Sequence, residues 1–398
     1  MLSFALLTVT KISTVFLGLW ENSGVRCRYN KVVITDIRLQ HFRSYADETF
    51  EFTPAVNIIV GPNGSGKTNL LEAVLVVARG SSYRVRDSEL IQYDQPWARL
   101  DAHVIVSPGD FPVPGEHVAD RRTVKIINEP TPGKTYEIEG KTLRRLMAQR
   151  MIPSVMFEPN HLTMLTGSPE RRRDYLDDLL EQTAPGYAKL KRDYKRTLAQ
   201  RNALLKNQGM AARQTIFPWN VRLSELGGAV AEQRIALLAT LAERASELYS
   251  SLADKTSIID LTYQTKFSHD HYASSLLKSL EQTFELDVMR GFTGNGPHRE
   301  DMLVYINGHP SASSASRGET RTAVLMLKVM ELTLMEQARQ EKPLLLLDDV
   351  FSELDGARRQ ALTSYLQDYQ TFITTTDADV VVHYFIDKCA IIPLGKQS

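Results

Sequence analysis

Apolar and polar positions along this chain change period several times. Val32 to Leu39 alternates between the two, the period of a half-buried strand, and Thr49 to Phe52 reads as its hairpin partner. Val56-Asn-Ile-Ile-Val60 is short, apolar and rich in β-branched residues, which predicts a buried strand. Gly61-Pro-Asn-Gly-Ser-Gly-Lys-Thr68 follows it, and Asn69 to Ala78 then reads as helix. From Arg99 to Ile138 the signal is strand-like again, with a loop expected from Ser107 to Gly115.

Near Glu170 the period lengthens. Tyr187, Leu190, Tyr194, Leu198 and Leu205 fall close to one helical face, as do Leu223, Leu226, Val230, Leu237, Leu241, Ala245, Leu248 and Leu252. A loop is expected between them, from Asn207 to Pro218, so the two helices predict an antiparallel arm. The stripe reads as arm packing rather than a cofactor site. Strand and turn return near Gly291, then a helix from Glu319 to Gln340, a strand at Leu344–Leu347, a helix from Ala357 to Asp368 and a strand from Thr371 to Thr374.

Composition narrows the class. A chain of 398 residues can hold two or three domains with separate cores. The formal net charge is zero, so a nucleic-acid or membrane surface has to be a local patch. Cys27 and Cys389 are too few and too far apart for a disulfide framework or a zinc site, which fits a reducing cytoplasm. Met1 to Trp20 is apolar but carries Lys11 in its middle, unlike a signal peptide or a membrane span. Residues 1–31 are expected to be a spurious or disordered extension, with translation starting near Val32 or Val33.

Gly61 to Thr68 fits G-x-x-x-x-G-K-[ST] between a strand and a helix. Four fixed positions should arise by chance in roughly one chain in a hundred of this length, and the strand–helix setting makes chance less frequent still. Gly61, Pro62, Asn63, Gly64, Ser65 and Gly66 would wrap a phosphate with backbone N–H groups, and the following helix points its positive end at the same anion. Lys67 would reach the β- and γ-phosphates and Thr68 would place its hydroxyl on Mg²⁺. The cofactors expected are therefore ATP and Mg²⁺.

Far downstream, Leu344 to Leu347 leads into Asp348 and Asp349. Four leucines fix the acids at the end of a buried parallel strand. Asp348 would hold the metal, through water, and Asp349 would orient the attacking water or act as general base. Ser313-Ser-Ala-Ser-Arg-Gly-Glu319 stands directly before a helix and makes a second anion nest. One nucleotide hardly needs two such nests from one subunit, whereas two facing subunits would use both.

These segments resemble the ABC-type ATPase heads, and more closely the RecF family of bacterial DNA replication and repair proteins. The resemblance runs from about Ile34 to the C-terminus. It rests on Gly61–Thr68, on Phe157-Glu-Pro-Asn and Gly167-Ser-Pro-Glu-Arg-Arg-Arg-Asp-Tyr-Leu-Asp177, and on Gln200-Arg-Asn-Ala-Leu-Leu-Lys206. Gly296-Pro-His-Arg-Glu-Asp301, Ser316-Arg-Gly-Glu319 and Leu345 to Asp355 complete it. It implies an α/β fold: a P-loop ABC-type ATPase head with a β-rich lobe and an inserted helical arm. The expected division is 32–165 and 291–398 for the ATPase lobe and 166–290 for the arm. By the same resemblance Ser316 and Gly318 would contact the γ-phosphate held by a second copy, and Asp355 would serve that copy's site. The implied function is an ATP-gated homodimer acting on single-stranded, double-stranded or gapped DNA, helping RecA load with RecR and RecO type mediators, in the cytoplasm and away from membranes.

The departures matter. Transporter-type heads carry Glu where Asp349 stands and a His where Thr374-Thr-Thr-Asp377 stands. A carboxylate shorter by one methylene holds the attacking water less well, so slow ATP hydrolysis is expected. These departures also disfavour an ABC transporter subunit, and an SMC-like chromosome organiser would need a far longer arm. Glu300 stands where the family's motif leads us to expect Asp. Tyr187 to Arg213 holds eight Lys or Arg residues (189, 191, 192, 195, 196, 201, 206, 213) against one acid, Asp193, which suits DNA phosphates without base reading. Arg171-Arg-Arg173 lies between acids and reads instead as intramolecular pairing.

Overall fold

The computed structural model describes residues 30–108, 118–253, 256–385 and 389–395. The expected N-terminal extension, Cys27 and most of the loop expected at Ser107 to Gly115 lie outside the described residues. The chain divides into two compact units, one of residues up to 161 together with 328 onward, the other of residues 162–327.

In the first unit, β1 (Asn30–Phe42) pairs antiparallel with β2 (Tyr45–Glu51), the hairpin its alternation predicts. β1 also pairs with β4 (Trp97–Pro108), and β5 (Val118–Ile127), β6 (Gly133–Ile138) and β7 (Lys141–Leu143) extend the antiparallel sheet. A second sheet is wholly parallel. It runs β15 (Cys389–Pro393), β3 (Val56–Val60), β14 (Thr371–Thr375), β13 (Leu344–Asp348), β8 (Ser154–Phe157).

Between the two sheets lies α1 (Lys67–Arg79), touching β13, β14 and β8 on one side and β1, β4 and β5 on the other. Leu70 to Ala78 are buried without interruption, because no side of this helix faces water. All four leucines of β13 are buried for the same reason, as a parallel strand covered on both faces requires. The helix α1 therefore starts at the C-terminal edge of the parallel sheet, where β13 also ends.

In the second unit, α2 (Pro169–Thr183) is followed by the long pair α3 (Tyr187–Gln208) and α4 (Phe217–Ala253). The pair is antiparallel: Arg201 bonds Asn220, and Tyr194 lies against Gly227. The apolar stripes predicted from the sequence meet here, with Tyr194, Leu223, Leu226, Val230 and Ala231 in one core with Leu276 and Leu280 of α5 (Tyr272–Gln282). A short helix α6 (Phe284–Arg290) and a sheet of β9 (Ile259–Gln264), β10 (Asp301–Ile306) and β11 (His309–Pro310) complete the unit. The helix α7 (Arg317–Arg339) begins in it, and β12 (Glu341–Lys342) and α8 (Gly356–Leu366) belong to the first unit.

One member of the basic stretch is a core residue. Arg201 is fully buried and donates from Nε to Asn220 Oδ1 at 2.8 Å and from Nη1 to Asp287 Oδ2 at 2.9 Å and Thr293 Oγ1 at 2.7 Å. Burial pulls its guanidinium below the ordinary arginine value, and the Asp287 carboxylate opposes that pull. Removing one partner of such a pair leaves a buried charge uncompensated. Asp287→Ala is expected to lower unfolding stability by about 3–5 kcal/mol in urea titrations, whereas Arg201→Met with Asp287→Leu loses less than the sum of the single changes. Additive losses would mean that the two groups do not act as a pair.

Candidate nucleotide site

The loop after β3 is shaped by glycines whose backbone conformation or close neighbours disfavour a larger residue. Gly64 and Gly66 take φ of +83° and +94°, in the left-handed region. A Cβ on Gly66 would stand 2.7 Å from the Tyr45 hydroxyl, and one on Gly61 would stand 2.5 Å from the Leu394 carbonyl oxygen. Tyr45 is buried and donates its hydroxyl to the Gly66 carbonyl at 3.0 Å, so the β1–β2 hairpin braces the loop. Lys67 bends back over it, donating to the carbonyls of Gly61 at 2.7 Å and Pro62 at 3.0 Å. Burial lowers the Lys67 ammonium, and the Asp349 and Asp348 charges oppose that fall. The Ser65 hydroxyl is buried with no hydrogen-bond partner.

The acidic pair meets this loop across 280 residues of sequence. Thr68 donates its hydroxyl to Asp348 Oδ1 at 3.0 Å. Thr374, at the end of the neighbouring strand β14, donates to the same oxygen at 2.7 Å and accepts from the Asp349 N–H at 2.9 Å. Asp349 has φ +53°, a conformation that an Asp tolerates better than most side chains and that turns the chain out of β13. Ser352 donates to the Asp349 carbonyl at 2.6 Å and holds the turn. Lys67, Thr68, Asp348 and Asp349 are thus brought together as the sequence predicts.

Three residues to which the sequence reading gave no role join them. Thr374 links both acids. Tyr83 donates to Asp348 Oδ2 at 3.4 Å, and burial first, then the Asp348 charge, raises its phenol well above the ordinary tyrosine value. Glu158 follows β8, whose Phe157 is in register with Leu347, and burial raises its carboxyl above the usual range, with Asp348 adding to the rise. Only strand register could have revealed Thr374 and Glu158, because each lies one strand away from the acids in space and far away in sequence.

The loop fits a polyphosphate. It offers glycine-shaped backbone, an unpartnered buried hydroxyl and a lysine held at its mouth. Thr68 and Asp348 offer one hydroxyl and one carboxylate to a metal. No group of three or more His, Cys, Asp or Glu capable of holding an ion occurs among the described residues. That donor set suits Mg²⁺, which takes few protein ligands and completes its shell with phosphate and water.

Asp355 caps its own helix here. It accepts from the Arg358 N–H at 3.0 Å and pairs with the Arg358 guanidinium. In the second unit Ser316 is exposed just ahead of α7. Its N–H and hydroxyl both donate to Glu319 Oε2 at 3.0 Å, and its hydroxyl accepts from the Glu319 N–H at 3.2 Å. This reciprocal cap fixes the first turn, with Gly318 inside it.

The basic stretch on α3 separates into two kinds. Arg201 is buried, Lys191 pairs with Glu181 at 2.7 Å and Asp177 at 3.4 Å, and Arg213 pairs with Glu285 at 3.4 Å. Lys189, Arg192, Lys195, Arg196 and Lys206 are exposed. Arg171 to Arg173 pair within the unit as expected: Arg172 makes a buried two-point bond with Asp301 at 2.8 and 2.6 Å, Arg173 donates to the Glu300 carbonyl at 2.9 Å and Arg171 to the Thr163 hydroxyl at 2.6 Å.

Comparison with known proteins agrees with this arrangement. The RecF/RecN/SMC N terminal domain family matches residues 33–391. The DNA replication and repair protein RecF of Heliobacterium modesticaldum is 34% identical over 353 residues, 86% of this chain and 92% of that protein. RecF of Bacillus subtilis is 32% identical over 361 residues, covering 88% and 95%. A solved structure of the recombination mediator protein RecF with ATPrS, described within the RecFOR pathway, aligns with TM-score 0.80 and 28% identity over 92% of this chain and 98% of that one. A second, of RecF with ATP, gives TM-score 0.76 and 29% identity, covering 89% and 94%. With that family's domain matched over residues 33–391 and relatives of 32–34% identity covering most of both chains, the chain belongs to the RecF family.

Proposed function

We propose that this protein is an ATP-gated, dimerising DNA-binding protein of recombinational repair and replication. The observation that carries the reading is the Thr68–Asp348 hydrogen bond, 3.0 Å long, which joins the phosphate loop to the acidic strand. Relatives solved with ATP and with ATPrS support ATP as the ligand. Gly61 to Lys67 would hold the phosphates, and Thr68 and Asp348 would hold Mg²⁺, which when bound neutralises charge on the phosphate oxygens. Asp349 would orient the attacking water. Its short side chain, on a backbone fixed by Thr374 and Ser352, supports slow turnover.

Ser316 and Gly318, exposed or half-buried at the start of α7, would cap a γ-phosphate held by a second copy, and Asp355 would line the same seam. Lys189, Arg192, Lys195, Arg196 and Lys206 would contact DNA phosphates, without reading bases. Action at single-strand gaps in support of RecA loading, beside RecR and RecO type mediators, is part of this reading; the solved relative's place as a recombination mediator in the RecFOR pathway supports it. No helix among the described residues is long and apolar enough to cross a membrane, and the reading places the protein in the cytoplasm.

Size measurement with and without ATP tests the shared site. Dimers should form only with ATP and be lost in Lys67→Ala, which weakens the grip on the triphosphate, and in Ser316→Arg, which blocks the cap without touching the loop. Dimers that survive Ser316→Arg would reject the shared site. In the same samples phosphate release should stay below about 1 s⁻¹ per site; faster release would favour a motor.

DNA affinity should fall steeply with salt and depend little on sequence. Arg192→Ala and Lys195→Ala should each reduce the slope of log affinity against log salt by about 1. Unchanged slopes in both would remove α3 from the DNA surface.

A further inference from the structure

The segment Gly296-Pro-His-Arg-Glu-Asp301 has so far no task in nucleotide binding or dimer formation, and its side chains divide sharply. Gly296 takes φ +125°, and a Cβ there would stand 2.8 Å from the Tyr194 hydroxyl, so the segment lies tight against α3. His298 Nδ1 is 2.6 Å from the Tyr194 hydroxyl and Nε2 is 3.0 Å from the Thr293 carbonyl. Burial holds its imidazole down to about 4, so it is neutral at physiological pH. Glu300 accepts from Thr265 at 2.6 Å and from Tyr272 at 2.7 Å, and Asp301 pairs with Arg172. Three of these side chains are thus anchored inward.

Arg299 alone among the charged ones is exposed, and its guanidinium lies over the Phe292 ring, 4.6 Å from the centroid. Phe292 is itself 38% exposed. The cations around the pair are Arg290, whose Nη1 lies 3.1 Å from a Cβ built on Gly294, and Lys206, whose Cγ lies 3.5 Å from one on Gly291. Of the neighbouring acids, Asp287 is bonded to Arg201 and the Gly294 N–H, Asp301 to Arg172, and Glu300 is buried with its Oε1 bonded to Thr265 and Tyr272. The surface left is an aromatic ring braced by one arginine and flanked by further cations, continuous with the exposed Lys206 end of α3.

We propose that Phe292 and Arg299 form a stacking platform for an unpaired nucleotide, with Arg290 and Lys206 taking the flanking phosphates. This rests on the DNA-binding reading above and deepens it from phosphate contact alone to a contact that only an unpaired base can make. A base inside a duplex has both faces covered by its neighbours and cannot lie on a ring, whereas an unpaired base can. The base would stack on the exposed part of the Phe292 ring, beside the Arg299 guanidinium. The anchored backbone of residues 293–301 fixes the ring in advance, so little ordering cost opposes stacking.

Fluorescence anisotropy on a single-stranded oligonucleotide and a duplex of equal length, with ATP present, tests this in the full-length protein. Phe292→Ala should weaken single-strand binding about ten-fold and duplex binding by less than about two-fold, because phosphate contacts remain. Phe292→Trp should restore single-strand affinity, which mere loss of packing would not explain. Equal losses on both substrates, no loss on either, or failure of tryptophan to rescue would each overturn the platform. If wild type binds neither DNA, the DNA reading itself fails and takes the platform with it; wild type that binds duplex but not the single strand overturns the platform alone.

Discussion

One hydrogen bond organises the nucleotide site: Thr68 to Asp348. It requires that the first helical turn after the phosphate loop and the last residue of a buried strand arrive at one point, although most of the chain separates them. The parallel sheet makes this geometry unavoidable. β3 and β13 run the same way on either side of β14, so their C-terminal ends form one edge. Thr374 stands on that middle strand and touches both acids, replacing with one hydroxyl the rigidity that two charged side chains lack. Tyr45 supports the loop from the antiparallel sheet, and α1, buried on all sides, fixes the spacing between the sheets.

The second unit handles charge differently. Its interior holds complete ionic groups: Arg201 with Asp287, Arg172 with Asp301, and Arg234 with Asp177 at 2.8 Å. Each arginine fork is met by a carboxylate in a place where an unpaired charge would be untenable. Such pairs fix which surfaces of the helices face inward, and so decide which cations remain outside. The exposed cations of α3 and the Phe292–Arg299 pair are what this internal pairing leaves outside.

Much of the nucleotide site was legible because its chemistry is local. A phosphate cradle needs glycines in unbroken order, and a metal-facing acid needs an apolar strand behind it; both leave a run of residues. The strands β1, β3 and β13 and the helices α3 and α4 follow the periods read for them for the same reason, whereas β8, α2, β9 and α5 were not read from any period. Thr374 and Glu158 were not legible as partners, since their proximity to Asp348 is a property of strand order, and Tyr83 was not, since it reaches Asp348 from the loop after α1. The basic stretch was read as a patch and not as two populations. Arg201 lies on the helical face of Tyr194, Leu198 and Leu205, a position passed over in the count of cations, and Asp287, 86 residues onward, meets it there. Nothing in the string Gly296 to Asp301 says that three side chains turn inward while Arg299 turns out.

The most direct measurement is the gain in ATP affinity on adding Mg²⁺, followed in wild type, Thr68→Ala, Asp348→Asn and the double variant. If these two side chains hold one metal beside the phosphates, each single change should abolish most of that gain, and the double change should be no worse than the more severe single one. A gain that persists in both single variants, or losses that add, would contradict a shared metal site at the junction of loop and strand.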